Sequence, residues 1–349
     1  GYLGKESNND LFTSVAKACF NSVLEEYTDL SQRKVSSSAF LGYASIVYAV
    51  NHFYYLWKDE SLLDLGKHIV NGLNNQIKDD RMYDFLGGSA GIITVALDFF
   101  KISGYKKSLE LAEICGQHLI KNAIPTEQGI GWLQINRSKG KPLGGLAHGN
   151  SGIAYSLIKL YSFSQQESYK TCAFEAIKYD NSLLDNNKGN WIDLRNVENT
   201  GKVHSPLYWC NGAPGIGLSR LYALDYLSEE VLNSDLGLAV DKTRLSGFNK
   251  ESHCLCHGDL GNIDFLLSTS IKTKNYILMD EVYTRVNMLF DGVKKENNIW
   301  KCGISGSEKP TPNMFTGLAG IGYEMLRLYN NNLPSILILD SPEVVKEEK

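Results

Sequence analysis

Residues 145–157 read GLAHGNSGIAYSL. A glycine tetrad, Gly149-Asn-Ser-Gly152, opens an apolar run in which Ile153, Leu157, Leu160 and Tyr161 fall at helical spacing. The tetrad recurs as Gly42-Tyr-Ala-Ser45, Gly88-Ser-Ala-Gly91, Gly212-Ala-Pro-Gly215, Gly258-Asp-Leu-Gly261 and Gly317-Leu-Ala-Gly320. The last positions of successive tetrads are 46, 61, 63, 46 and 59 residues apart. A repeat on that scale marks stacked supersecondary units. Between tetrads lies a second, more polar helix, such as Leu62, Leu65, Ile69 and Leu73 with Asp64 and Lys67 on another face. Each unit therefore pairs an inner, buried helix with an outer, half-exposed one. Closing about six or seven such hairpins into a ring predicts an all-α fold, an α/α toroid. Glycines at the inner-helix N-termini let the chain crowd near the axis. The N–H groups there make that end electropositive. The alternative is that the glycines serve helix packing alone.

Three connections contain a strand-like piece beginning at a tryptophan: Trp132-Leu-Gln-Ile, Trp191-Ile-Asp-Leu and Trp300-Lys-Cys-Gly. They form either short β-hairpin-like loops at one end of the ring, on which a peptide lies, or aromatic plugs. A helix near Leu11 to Tyr27 belongs to a unit without a glycine signature, and the tail from Pro342 is expected to fray. Val35 to Trp57 is uncharged and long enough to span a bilayer. Ser36, Ser37, Ser38, Ser45, Asn51 and His52 make it instead a buried helix of a soluble protein.

The 349 residues, 43% hydrophobic, suffice for a large core. A formal charge of −4 without a basic stripe argues against nucleic-acid binding. Seven cysteines, an odd number and mostly isolated, suit a reducing compartment, and the polar N-terminus has no signal-peptide core. The expected location is cytoplasmic.

Cys210 precedes the Gly212 tetrad, and Cys256 and His257 precede the Gly258 tetrad. Two ring units thus bring two thiols and an imidazole to one level of the axis. Zn²⁺ favours such ligands, and three of them leave a catalytic position open. His253 and Cys254 are rival ligands that spacing alone does not exclude; position relative to the tetrad favours Cys256 and His257. His148 precedes Gly149 in the same way and suits general acid–base work. Asp84, before the Gly88 tetrad, either orients His148 or serves a local turn or cap.

The stretches GGSAGI (87–92), GLAHGNSGIAYSL (145–157), WCNGAPGIGLSRL (209–221), CLCHGDLGNIDFLL (254–267) and FTGLAGIGYEMLRL (315–328) resemble the lanthionine cyclase (LanC-like) family. SHCLCHGDLGN and the ending LPSILILDSP are most similar to the C-terminal cyclase portion of class II (LanM-type) lanthipeptide synthetases. The resemblance implies a toroid of seven helical pairs, although only six tetrads are visible. It implies one catalytic zinc on Cys210, Cys256 and His257, an acid/base His148 and an active-site Asp84. It makes residues 1–349 a single cyclase domain that follows a dehydratase domain in a longer polypeptide. The implied partners are a dehydrated precursor peptide with its leader segment and an export transporter. The class I pattern places an arginine where this chain has Pro206 and a tyrosine where it has Asn211; His204 is a nearby substitute.

The chemistry so implied is Michael addition. A substrate cysteine thiol, held as thiolate by zinc, attacks dehydroalanine or dehydrobutyrine, and His148 transfers the proton. Two other classes compete. One is a glycosidase using paired carboxylates among Asp84, Asp193 and Asp259. The other is a non-catalytic, zinc-containing peptide-binding module.

Overall fold

The computed structural model describes residues 1–30, 36–135, 140–195, 201, 203–248, 251–306 and 309–343. Its helices in chain order are α1 (Tyr2–Glu6), α2 (Asp10–Leu30), α3 (Tyr43–Trp57), α4 (Glu60–Leu73), α5 (Ser89–Ser103), α6 (Lys106–Asn122), α7 (Asn150–Ser164), α8 (Glu167–Ser182), α9 (Ala213–Ala223), α10 (Glu230–Ser246), α11 (Asp259–Lys272), α12 (Tyr276–Lys295) and α13 (Leu318–Tyr329). Helices α3, α5, α7, α9, α11 and α13 follow the six tetrads, and the first glycine of each tetrad is the helix N-cap. These six line the inner ring. Each of the first five forms a hairpin with the helix after it. Helices α5, α7, α9 and α11 are buried along most of their length, whereas α4, α6, α10 and α12 bury one stripe. The architecture is the expected α/α toroid.

Helix packing alone does not explain the tetrads. A Cβ on Gly91, Gly152, Gly215, Gly261 or Gly320 would run into the carbonyl oxygen of Phe85, Leu146, Trp209, Leu255 or Met314, in that order. Each loop therefore turns back so that the carbonyl six residues upstream rests on the first turn of its own helix. Gly212 adds a second demand, because its φ is +100°.

α1 and α2 form the unit that has no tetrad. Tyr2 of α1 stands between α3 and α13: its hydroxyl lies 2.8 Å from His52 Nδ1, and its ring is 6.1 Å from that of Tyr323. At the opposite end Phe40 packs edge-on against Phe315, with centroids 5.1 Å apart. After α13 the segment Leu333–Leu339 is buried, and the Leu337 carbonyl accepts a hydrogen bond from Trp209 Nε1 at 2.8 Å. LPSILILD thus plugs the ring and ties its last unit to α9. Residues 344–349 of the tail lie outside the described residues.

Two short antiparallel hairpins occur, β1 (Ile124–Thr126) with β2 (Gly129–Gly131) and β3 (Leu184–Asp185) with β4 (Asn190–Trp191). They end at or just before Trp132 and Trp191, and do not begin there. Both indoles are buried, and Trp132 Nε1 donates to the Leu119 carbonyl at 2.8 Å, so these two tryptophans are plugs. Among the described residues no helix is long and apolar enough to cross a membrane. The uncharged 35–57 stretch contains α3, packed in the ring.

Buried charges stitch the helices together. Lys159 of α7 meets Asp98 of α5 at 2.6 Å, and Arg220 of α9 holds Asp235 of α10 at 2.9 Å and Asp180 of α8 at 3.4 Å. Arg327 of α13 binds Asp264 of α11. Removing one partner of such a pair leaves an uncompensated buried charge.

Gly215→Ala is expected to lower unfolding stability by about 1–3 kcal/mol, because the loop carbonyl has nowhere to move. Gly72→Ala, on α4 with open space around it, should be neutral or stabilise by up to about 1 kcal/mol. Denaturant midpoints of the two variants check the contrast.

Candidate metal centre and active site

The folded-back loops place equivalent residues around the axis. One residue beyond each pressed carbonyl stand Leu86, Ala147, Cys210, Cys256 and Phe315. Backbone hydrogen bonds join them: Leu86 N–H to the Ala147 carbonyl (3.0 Å), Ala147 N–H to that of Cys210 (3.3 Å), and Cys256 N–H to that of Phe315 (2.9 Å). The next residue in three of these loops is His148, Asn211 or His257. The repeat therefore delivers ligand-type side chains to one level from neighbouring units.

Cys210, Cys256 and His257 converge. One ligand atom from each lies within 4.8 Å of the other two, and Cys210 Sγ is 3.5 Å from His257 Nε2. Ligands of a tetrahedral zinc with thiolate and imidazole bonds stand roughly 3.5–3.8 Å apart, so the trio needs only a small contraction to fit a metal. A hydrogen bond from Cys256 holds the Cys210 thiol well below its ordinary range against the effect of burial, with help from His257 and Arg195. The same bond, and then burial, pushes Cys256 up.

His253 and Cys254 have other partners. His253 Nδ1 accepts from Lys301 N–H at 3.1 Å, and its ring meets Trp300 edge-on. Cys254 is buried beneath the site; its sulfur accepts from the His257 N–H at 3.4 Å, and its thiol donates to the Gly303 carbonyl at 3.5 Å. The ambiguity in the SHCLCHG stretch thus resolves to Cys256 and His257 as the convergent pair.

His148 and Asp84 meet across neighbouring units, with Nδ1 2.9 Å from Asp84 Oδ2. Asp84 Oδ1 also accepts from Gly87 N–H at 2.5 Å, so the local-turn role and the orienting role coexist. Gln134 Nε2 donates to Asp84 Oδ2 (2.6 Å) and to the His148 carbonyl (2.8 Å). Burial raises the Asp84 carboxyl, opposed by His148 and Gly87. Burial alone would lower His148, but the hydrogen bond and charge of Asp84 outweigh it and raise the imidazole. With its other edge half-exposed, His148 can carry a proton to a ligand on the axis.

Two residues near the thiols had no role in the sequence reading. Arg195 forms a hydrogen bond with Cys210 and is clamped by Asp193 at 2.7–3.1 Å. The Tyr208 ring lies 4.8 Å from that of His257. Arg195 lies in the same connection as Pro206, eleven residues before it, on the arm that pairs through Asp193 with His204. His204 lines the same cavity, and its carbonyl accepts from Asp193 N–H at 2.8 Å. The glycosidase carboxylates have separate partners: Asp84 binds His148 and Gln134, Asp193 binds Arg195, and Asp259 is buried in the first turn of α11.

A family model described as lanthionine synthetase C-like protein matches residues 1–339. The chain belongs to that family. It is 26% identical over 257 residues to the lacticin 481/lactococcin biosynthesis protein LcnDR2 of Lactococcus lactis subsp. lactis, which covers 70% of this chain. The chain spans about a quarter (25%) of that relative's length. Among solved structures it is similar to nisin cyclase, with a TM-score of 0.69 and 17% identity, covering 94% of this chain and 85% of that one. The Lin0763 protein of Listeria innocua follows at 0.54 and 16%, covering 77% and 79% of the two chains. A GH76 α-mannanase of Bacteroides thetaiotaomicron gives 0.54 and 14%, covering 86% and 88%. At these identities the structural likenesses are of fold alone.

Cys210→Ala should lower bound divalent metal well below one per chain while helical circular dichroism persists; full occupancy in the variant overturns the ligand assignment. For His148, NMR titration of the metal-free protein should give a pKa above the ordinary value of about 6.5. Asp84→Asn removes what raises it and leaves the burial that lowers it, so the titration should move to lower pH.

Proposed function

We propose that this chain is a zinc-dependent lanthipeptide cyclase. It closes thioether rings by adding substrate cysteine thiols to dehydroalanine or dehydrobutyrine of a dehydrated precursor peptide. The observation that carries this reading is the convergence of Cys210, Cys256 and His257 one loop away from the His148–Asp84 pair. A peptide-binding module has no use for a proton-transfer pair beside a metal site. Residues 1–349 act, on this reading, as the cyclase portion of a longer cytoplasmic synthetase. Its dehydratase portion supplies the dehydro residues, and a leader segment brings the peptide to the site.

Zinc, when bound, supplies one open position that takes a substrate thiol as its thiolate. Cys210, Cys256 and His257 would hold the ion, and the two cysteine ligands would offset its charge so that a substrate sulfur beside them stays nucleophilic. Sulfur's lone pair forms the bond to the β-carbon, and the double-bond pair moves toward the carbonyl oxygen. His148, whose imidazole is raised by its bond to Asp84, protonates the α-carbon; the thiol proton lost at the start balances it. The product has the mass of the reactant.

Incubation with a dehydrated, cysteine-containing precursor, followed by alkylation and mass spectrometry, tests the reading. Loss of alkylatable thiols without a mass change supports it. Binding with every thiol still alkylatable supports the non-catalytic module. His148→Ala should keep its zinc and cyclise roughly 10²–10⁴-fold more slowly. Wild-type turnover in that variant ends the acid–base assignment.

A further inference from the structure

Gln134 is a buried amide on a strap whose main chain is anchored on both sides. Two residues before it, Trp132 Nε1 donates to the Leu119 carbonyl at 2.8 Å. One residue after it, the Ile135 N–H donates to the Arg81 carbonyl at 2.9 Å. Arg81 stands three residues before Asp84. The strap that follows β2 is therefore laced to the loop that carries Asp84. From it the Gln134 side chain reaches both members of the proton-transfer pair. Its Nε2 donates to Asp84 Oδ2 at 2.6 Å and to the His148 carbonyl at 2.8 Å. An amide nitrogen carries two N–H groups, and these contacts use both. Both partners are acceptors, so the nitrogen of the amide, and not its oxygen, must face them.

These bonds close a triangle. Asp84 Oδ2 accepts from Gln134 and lies 2.9 Å from His148 Nδ1, while Oδ1 accepts from the Gly87 N–H at 2.5 Å. The imidazole hangs between its own main chain, which Gln134 holds, and an oxygen that Gln134 also holds. The amide is planar, so the angle between its two N–H groups is fixed. One loop's main chain and the other loop's carboxylate therefore keep one spacing. A donor that served only to satisfy the buried carboxylate would need the first of these bonds and not the second.

We propose, resting on the cyclase reading, that Gln134 is a positioning residue for ring closure. Its amide locks the Asp84 loop to the His148 loop. The imidazole is thereby held with Nδ1–H on Asp84 and with Nε2 left for the proton that it transfers. The hydrogen bond made by one ring nitrogen sets the protonation of the other. Gln134 itself makes and breaks no covalent bond. It decides which nitrogen of His148 meets the substrate, and at what angle.

The test has two arms. In single turnover with zinc-saturated chain and a dehydrated precursor, Gln134→Leu should slow ring closure by roughly 10–10²-fold, the cost of a misplaced catalytic group. Gln134→Glu keeps the length of the side chain but turns oxygens toward two acceptors. It should be as slow as Gln134→Leu at high pH. As pH falls and the new carboxyl gains a proton to donate, its rate should recover relative to the wild type. The second arm needs neither metal nor activity. Nitrogen-15 NMR of the metal-free wild type, with the imidazole neutral, should show His148 as the Nδ1–H tautomer alone. In Gln134→Leu or Gln134→Glu the Nε2–H tautomer should appear beside it. An unchanged tautomer, or Gln134→Glu closing rings at the wild-type rate at every pH, overturns the proposal. So does a loss of bound zinc with the His148 spectrum unmoved, which would put Gln134 on the metal side. If Gln134→Leu loses its helical circular dichroism, the isosteric Gln134→Glu decides alone. A wild-type chain that closes no ring sinks the cyclase reading, while the nitrogen spectra still decide whether Gln134 orders the pair.

Discussion

The structure depends on a close contact between backbone and backbone. In five units a loop carbonyl rests on the first turn of the inner helix that follows, where only glycine leaves room. That contact fixes how the loop enters the helix, and so which residue faces the axis. Because the contact repeats, the facing residues fall at equivalent positions and bond to one another through their main chains. Repetition of one local geometry then sets which side chains meet: at two equivalent positions, Cys210 and Cys256 bring their thiols beside the His257 imidazole, a group that could hold a metal ion.

What the sequence could reveal follows from this. The contact must be made by glycine, glycine is visible, and its spacing exposed the repeat and the toroid. The candidate site residues keep a fixed offset from the tetrads, so Cys210, Cys256, His257 and His148 could be located without coordinates. Asp84 was legible for the same reason. Gln134 and Arg195 were not, because they lie in connections between units, where no period sets an offset. Arg195 could have been suspected only from its neighbour: an aspartate two residues before an arginine, in a segment leading to the first thiol. α1 also escaped notice. Five residues carry too little periodicity to declare a helix, and its place in the ring is set by the contacts of Tyr2 with His52 and Tyr323.

The electrostatics of the site form a graded series. Inner-helix N-termini point partial positive charge at the loops. The Cys210 thiol is lowered by a hydrogen bond from Cys256 against the effect of burial, with help from His257 and Arg195, whereas burial pushes the Asp84 carboxyl up, opposed by its bond to His148. The Cys210 thiol and the Asp84 carboxyl are thus shifted in opposite directions although equivalent loops build them.

The same double ring of helices occurs in a GH76 α-mannanase, at a TM-score of 0.54 and 14% identity. Shared architecture at that distance carries no shared chemistry. What the two folds can share is a stage: a closed ring whose loops converge on an axis and whose helices bear the load of stability. Stability and chemistry are then separable. Buried pairs such as Lys159–Asp98, Arg220–Asp235 and Arg327–Asp264 tie the helices along their length. The loops at one end are left to vary, provided each glycine contact survives. On such a scaffold a thiol pair or a carboxylate pair is a change of a few loop residues, and the loops that differ between two toroids are the first place to seek what distinguishes their reactions.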